Sequence, residues 1–146
     1  MKLSPHFNLS EFVISQEAAA RGIDNTPPAR ALPNLQRVAG MLEDVRALLG
    51  GFPILISSGW RCVELNKALR GSSSTSAHMQ GLAADFIVPG YGDPYSVCKA
   101  VEASGLVFDQ LIHEITWVHL ATGGAMRRQV LTIDRFGARN GLEYAR

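Results

Sequence analysis

The chain has almost no cysteine: two in 146 residues, with no C-x-x-C pair and no neighbouring histidine. That excludes a disulfide scaffold and a thiolate metal cluster. Cys62, at the expected start of one helix, and Cys98, inside another, are expected as buried free thiols. Long hydrophobic runs are absent too; nothing approaches the roughly 18 apolar residues of a membrane span, so no membrane insertion is expected. The net charge is only +1, with no Lys/Arg block, which gives no general pull toward nucleic acid or anionic membranes. The opening M-K-L-S-P-H-F-N-L-S lacks the continuous apolar core of a secretory signal. The expectation is a product made in the cytoplasm, for which any substrate outside the membrane must be reached with help. Repeats and domain-scale linkers are also missing.

What is present is an ordinary globular mixture, 47% hydrophobic and 18% charged, of a length that suits one domain. We read residues 1–146 as a single domain, monomeric, with an N-terminal arm of about residues 1–30 packed on it. A short helix begins near Leu9–Val13 with Ser10 as N-cap and ends at Gly22, before the Asp24–Pro28 loop. The clearest helix runs from about Leu32 to Leu49: Leu35, Val38, Leu42, Val45 and Leu49 recur at helical spacing, and Gly50-Gly51 end it. Pro53–Ser57 reads as a short buried strand and Ser58–Arg61 as a turn. A helix follows near Cys62–Leu69, closed by Gly71. Ser72–Ser76 form a polar loop expected to face a substrate.

Ala83–Val88 reads as a strand, and Asp93-Pro94 as the cap and first turn of a helix reaching Gly105. Phe108–Glu114 and Trp117–Ala121 read as paired strands, Gln129–Ile133 as a last strand; Arg135–Arg146 carries no clear pattern. Helices come early and strands late. The class is α+β, a small, largely antiparallel sheet with helices packed against it.

The most informative stretch is Ser76–Asp85, S-A-H-M-Q-G-L-A-A-D, followed by His119 in W-V-H-L with Glu114 just upstream. Two imidazoles and a carboxylate suit zinc, and three protein ligands leave a fourth position for water. A free carboxylate beside that water is a general base. These residues point to a zinc hydrolase. A lone histidine is more often a surface or core residue, and His78 and Asp85 could share a helix face. Gly81 and the strand character of Asp85–Val88 favour His78 on a loop and Asp85 at the start of a strand. If Ile115-Thr116 is a two-residue turn, Glu114 pairs with Trp117 and Ile112 with His119. Glu114 and His119 then share a face, and His113 points away.

The pattern S-x-H-x-x-G-x-A-x-D followed by W-x-H resembles the zinc D-Ala-D-Ala carboxypeptidase family, which includes vancomycin-resistance D,D-dipeptidases and the L-Ala-D-Glu peptidase endolysins of bacteriophages. S-S-G-W-R at Ser57–Arg61, Leu65-Asn66, the N-terminal L-S-E-F and the run to L-E-D-V-R are also similar to small phage and prophage members, so the resemblance extends from about Leu9 to Leu120. It implies a Hedgehog/D,D-peptidase-like fold and one zinc ion on His78, Asp85 and His119. It also implies Glu114 as catalytic acid/base and Arg61 as stabiliser of substrate or transition state. Ser76 either holds the His78 loop or donates to substrate. Many relatives place the acid three residues before the last ligand, where Thr116 stands here; Asp109 and His113 are the alternatives to Glu114. The implied activity is hydrolysis of peptidoglycan stem peptides, as D,D-carboxypeptidase or L-Ala-D-Glu endopeptidase, reached by holin-type release. The competing readings are an inactive zinc-containing wall-binding or virion structural domain, and a metal-free wall-targeting module. Trp60 and Trp117 are expected in the core or pocket wall, His6 at the surface, and Tyr91 and Tyr95 on the cleft rim.

Overall fold

The structure is a computed structural model that describes residues 1–69 and 72–144. The expected closure of a helix by Gly71 lies outside those residues. The chain opens with a small hairpin, β1 (Lys2–Ser4) and β2 (Phe7–Asn8), then two short helices, α1 (Leu9–Val13) and α2 (Gln16–Arg21). The long helix α3 (Leu32–Leu48) follows a 3-10 turn at Ala29–Ala31 and leads to β3 (Leu55–Ser58) and α4 (Val63–Ala68). A second 3-10 turn, Ala77–Gln80, precedes β4 (Ala83–Ile87), α5 (Pro94–Ala103), β5 (Gln110–His113), β6 (Val118–Ala121), β7 (Gln129–Asp134) and β8 (Gly137–Asn140). No helix among the described residues is long and apolar enough to cross a membrane.

The α+β class holds. Six strands form one sheet in the order β3-β4-β6-β5-β7-β8, antiparallel throughout except for the parallel pair β5/β7. Strand alternation gives this sheet two different faces. Ala84, Phe86, Leu111, Val118 and Leu120 point into the core, where Leu35, Val38, Leu42 and Val45 of α3 and Val97, Cys98 and Val101 of α5 cover them. Each such aliphatic side chain contributes roughly 1.5–3 kcal/mol by leaving water. The residues between them, Asp85, Gln110, Ile112, His119, Ala121, Leu131 and Ile133, line an open cavity on the other face. The periodicity that builds the core therefore also sets out the site.

Several expectations need correction. The first helix is two: the chain breaks at Ile14-Ser15, and Ser15 caps α2 by accepting from the Ala18 N–H at 3.1 Å. Asn8, not Ser10, is the first N-cap, its N–H donating to Glu11 Oε2 at 2.7 Å. The strand after α3 is not buried. It is the sheet edge, with Leu55 51% exposed, and the buried apolar residue is Ile54, just before it. Cys98 is buried, but Cys62 is only half-buried, and its Sγ caps α4 by accepting from the Leu65 N–H. β8 and the β1/β2 hairpin carry too few residues for a periodic signal. His6 is at the surface as expected, paired at 2.7 Å with Glu43.

Gly59 is where the arm and the sheet meet. The next residue, Trp60, donates its N–H to the Phe12 carbonyl at 2.6 Å, and a Cβ on Gly59 would lie 2.7 Å from the Phe12 Cα and carbonyl oxygen. Backbone on backbone leaves no flexible atom to give way. Gly59→Ala is expected to lower unfolding free energy by about 1–3 kcal/mol, read from the urea midpoint at unchanged m-value.

Candidate metal centre

Each site residue is placed by a different element. Asp85, the third residue of β4 rather than its first, lies directly opposite His119 of β6, which lies opposite Ile112 of β5. On its other side Asp85 pairs with Ser58, beyond an irregularity in β3. His78 comes from outside the sheet, on the 3-10 turn Ala77–Gln80, not on an irregular loop. Ser76 holds that turn, its Oγ accepting from the His78 N–H at 3.2 Å, and Gly81 ends it at φ +73°. The structure brings all three expected ligands together: their donor atoms lie within 4.8 Å of one another, and all three residues are buried.

The hydrogen bonds around His78 test whether a cation fits. Its Nδ1 lies 2.7 Å from the Gly59 carbonyl oxygen, which can only accept, so Nδ1 carries the proton. Burial pushes the His78 pKa down against the pull of Asp85, so the ring is neutral and Nε2 bears a lone pair. That lone pair points at Asp85 Oδ1, 3.2 Å away, while His119 Nδ1 lies 3.0 Å from the same oxygen. Burial alone would raise the Asp85 pKa. The two imidazole neighbours outweigh it and hold the carboxyl below its ordinary range, hence ionised. Two buried acceptors facing each other repel unless a cation lies between them. Tetrahedral zinc with bonds of about 2.0–2.2 Å places its donors roughly 3.3 Å apart, close to these separations. The residues fit zinc, and the Gly59 carbonyl is the outer partner that fixes a ligating imidazole.

Arg61 stands beside them with its side chain 12% exposed. Its guanidinium donates to Ser58 Oγ, Asn66 Oδ1, Ser72 Oγ and Asp85 Oδ2, at 3.2, 3.2, 3.2 and 3.4 Å. Most of the planar fork is thus engaged by the protein, which leaves little of it for bidentate capture of a carboxylate. Asn66, 4% exposed, also donates to the Ser73 carbonyl at 2.9 Å and so ties the serine loop to Arg61. As expected, Ser72, Ser73, Thr75 and Ser76 face the cavity, which measures 740 Å³.

The β5–β6 hairpin has the expected register: Ile112 opposes His119, and Glu114 donates its N–H to the Trp117 carbonyl at 3.1 Å. Glu114 lines the same cavity as the three ligands. Trp117 Nε1 donates to Glu114 Oε2 at 3.0 Å. Burial, and next the charge of Asp85, raise the Glu114 pKa above its ordinary value of 4.5. The alternatives fare differently. His113 lies on the opposite face, 1% exposed, with Nδ1 3.1 Å from the Glu143 carbonyl and its ring against Tyr95. Asp109 reaches the cavity, but Arg127 clamps both its oxygens at 3.0 and 2.8 Å. Those bonds hold its carboxyl below the usual range.

Tyr91 and Tyr95 are not among the residues lining the cleft; Tyr95 packs on His113 and Tyr144. Trp60 is in the core and Trp117 in the pocket wall. One supporting residue gives no signal in the sequence. Asn25, 7% exposed, donates to the Val13 and Trp60 carbonyls at 3.0 Å each and accepts from the Cys62 N–H at 2.8 Å. An asparagine in a D-N-T-P-P loop reads as turn chemistry, and only the fold shows it stapling the arm to the His78 support.

Two outcomes follow for the metal. Zinc at 1,000 times its dissociation constant adds about 4 kcal/mol to stability, roughly 8–16 °C in Tm for a domain of this size. His78→Ala removes that increment, as differential scanning fluorimetry with and without chelator will show. The second outcome concerns Glu114 in chelated protein. A raised folded-state pKa means its ionisation costs stability, beginning as pH rises past 4.5 and complete above the folded value. The Tm advantage of Glu114→Gln over wild type is therefore near zero at pH 4 and positive by pH 8.

A family model described as peptidase M15 matches residues 5–121. No curated protein matches the chain. The match spans most of the arm, α3, the Gly59 turn, Arg61, His78, Asp85, the β5–β6 hairpin and His119, while the cavity wall continues beyond it into β7. The chain belongs to the peptidase M15 family.

Proposed function

We propose that the protein is a zinc metallopeptidase that hydrolyses peptide bonds in the stem peptides of peptidoglycan, with His78, Asp85 and His119 as ligands of one zinc ion. The observation that carries the reading is Glu114, a carboxylate of raised proton affinity in the same cavity and on the same sheet face as Asp85 and His119. A general acid/base works best with a pKa near the working pH, and burial beside a second carboxylate moves a glutamate that way. Bound zinc supplies a Lewis acid that polarises the scissile carbonyl and lowers the pKa of water from about 15.7 toward 7.

The chain's own residues do the rest. Glu114 takes a proton from the attacking water and returns it to the leaving amine. The Trp117 indole N–H orients the Glu114 carboxylate through Oε2. Arg61 fixes Asp85 and the serine loop and sets a permanent positive charge in the cavity wall, where negative charge develops on the carbonyl oxygen. Ser76 holds the His78 turn. The substrate is a short peptide, cut as a D,D-carboxypeptidase or as an L-Ala-D-Glu endopeptidase. The chain acts as a monomer, without nucleic acid or membrane insertion, and meets the wall after holin-type release in a phage or prophage setting.

Digestion of purified sacculi followed by mass spectrometry identifies the bond from the fragment masses. Glu114→Gln is expected to lower kcat by roughly 10²–10⁴-fold while zinc content stays at that of wild type. Equal inertness of both proteins would instead favour a zinc-bearing wall-binding domain.

A further inference from the structure

The metal cavity extends past the three ligands, and its far end has no part in the chemistry above. The register of the sheet measures it out. On the cavity face, Glu114 and Trp117 lie two residues to one side of Ile112 and His119, and Gln110 and Ala121 two residues to the other. Two residues along a strand are about 7 Å. Beyond Gln110 and Ala121 the wall continues through Asp109, Thr122, Gly123, Gly124 and Arg127.

That far end is built of amide, hydroxyl and bare backbone. Gln110 Nε2 donates to Gln129 Oε1 at 2.9 Å, which leaves Gln110 Oε1 to accept. The Thr122 hydroxyl gives its proton to the Met126 sulfur, a weak acceptor 3.6 Å away. Gly123 and Gly124 stand at φ +88° and +59°, where a side chain is strained, so the wall there is peptide. Asp109 and Arg127 close the end, and their bonds to each other at 3.0 and 2.8 Å offset their charges. Ala121 and Leu82 supply a small apolar floor. Neutral donors and acceptors around such a floor suit a hydroxyl-rich, N-acylated ligand better than an ion or an aliphatic chain.

The opposite end points to the bond. Beside Glu114, Asp134 is clamped by Arg139 at 2.8 Å, which leaves Arg135 as the charge lining the neighbouring recess. A cation there suits an acidic leaving residue, and of the two candidate bonds only L-Ala-D-Glu has one. Glu114 returns its proton to the leaving amine, so the acyl half of the substrate runs the other way, from His119 toward Gln110. In that bond the acyl half is the alanine, whose amine carries the lactyl group of N-acetylmuramic acid. One residue spans at most about 3.6 Å, so the alanine covers half the step to Gln110 and the lactyl group and sugar cover the rest.

We infer that the end of the cavity walled by Gln110, Thr122 and the Gly123-Gly124 backbone is a sugar subsite, which takes the N-acetylmuramyl unit that bears the stem peptide. The inference rests on the peptidase reading above, in its L-Ala-D-Glu form. Gln110 and Thr122 are then specificity-determining residues, and the enzyme prefers stem peptides still attached to the glycan strand.

The test gives the zinc-loaded protein two substrates, an N-acetylmuramyl stem peptide and the same peptide with an N-acetyl cap in place of the sugar. Both have a neutral amide at that position, so only the sugar differs. KM is measured for wild type, Gln110→Ala and Thr122→Val. Wild type should have a KM roughly 10-fold lower for the muramyl peptide, and each variant should shrink that ratio about 3-fold while its kcat/KM on the capped peptide stays near that of wild type. Equal KM values in wild type overturn the subsite, as does a full preference in both variants, or an equal loss on both substrates. Cleavage of sacculi at the D,D bond, or of sacculi but not of the muramyl peptide, overturns it too; the peptidase reading survives all of these. A wild type that cleaves neither sacculi nor either peptide overturns the peptidase reading, and the subsite with it.

Discussion

The site depends on one buried carboxylate. Asp85, 6% exposed, receives His78 and His119 on one oxygen and Arg61 on the other. Removing such a charge from water costs several kcal/mol, and only positive partners can offset that. In the chain alone His78 donates nothing to that oxygen, because its proton is committed to the Gly59 carbonyl. Arg61 supplies one full charge, and a cation held by the three residues would add to it. Much of the surrounding architecture then follows from holding those partners still: Gly59 pressed on Phe12, Asn25 stapling the turn that follows, Asn66 bracing Arg61.

The sheet makes this economical. A strand with one face in the core has its register fixed, since a slip of one residue would turn Phe86 or Leu120 into the cleft. The same constraint that keeps Ala84, Phe86, Val118 and Leu120 against α3 and α5 keeps Asp85 and His119 side by side on the far face. Core stability and ligand geometry are thus coupled. His78 is the exception. It comes from a 3-10 turn outside the sheet and needs its own supports, Ser76 in the turn and the Gly59 carbonyl behind the ring.

How much could be read in advance varied with the range of the forces involved. The α3 stripe, the Asp93-Pro94 start of α5 and the β5–β6 register are local or nearly so, and the structure has them as expected. The meeting of His78, Asp85 and His119 is a long-range fact, yet it was legible because metal chemistry restricts which side chains can converge. Edge position was not legible: Leu55 and Ile56 look like a buried strand because nothing in a four-residue run tells an edge from a centre. The helix break at Ile14-Ser15 was hidden likewise, since neither proline nor glycine marks it. Asn25 and the Asp109–Arg127 clamp join residues that lie 35 and 18 apart, with no pattern of their own.

The spacing of Glu114 from His119 shows how a local turn sets catalytic geometry. In a two-residue hairpin the residue three before His119 is Thr116, which sits in the turn, is exposed, and cannot face the metal cavity. Five before is the nearest acidic position on the same strand face, two cross-strand pairs beyond Ile112–His119 and past His113–Val118. A spacing of three requires a differently built turn. Here Ile115, strained at φ +67° in a γ-turn closed by the Thr116 N–H on the Glu114 carbonyl at 2.8 Å, keeps the connection at its shortest, so Glu114 and Trp117 still pair at 3.1 Å through their backbones and at 3.0 Å through indole and carboxylate. A relaxed, longer turn would free Glu114 from both contacts. The departure from the commoner spacing and the strain at Ile115 therefore have one cause: a hairpin tight enough to bring a carboxylate back over the ligands.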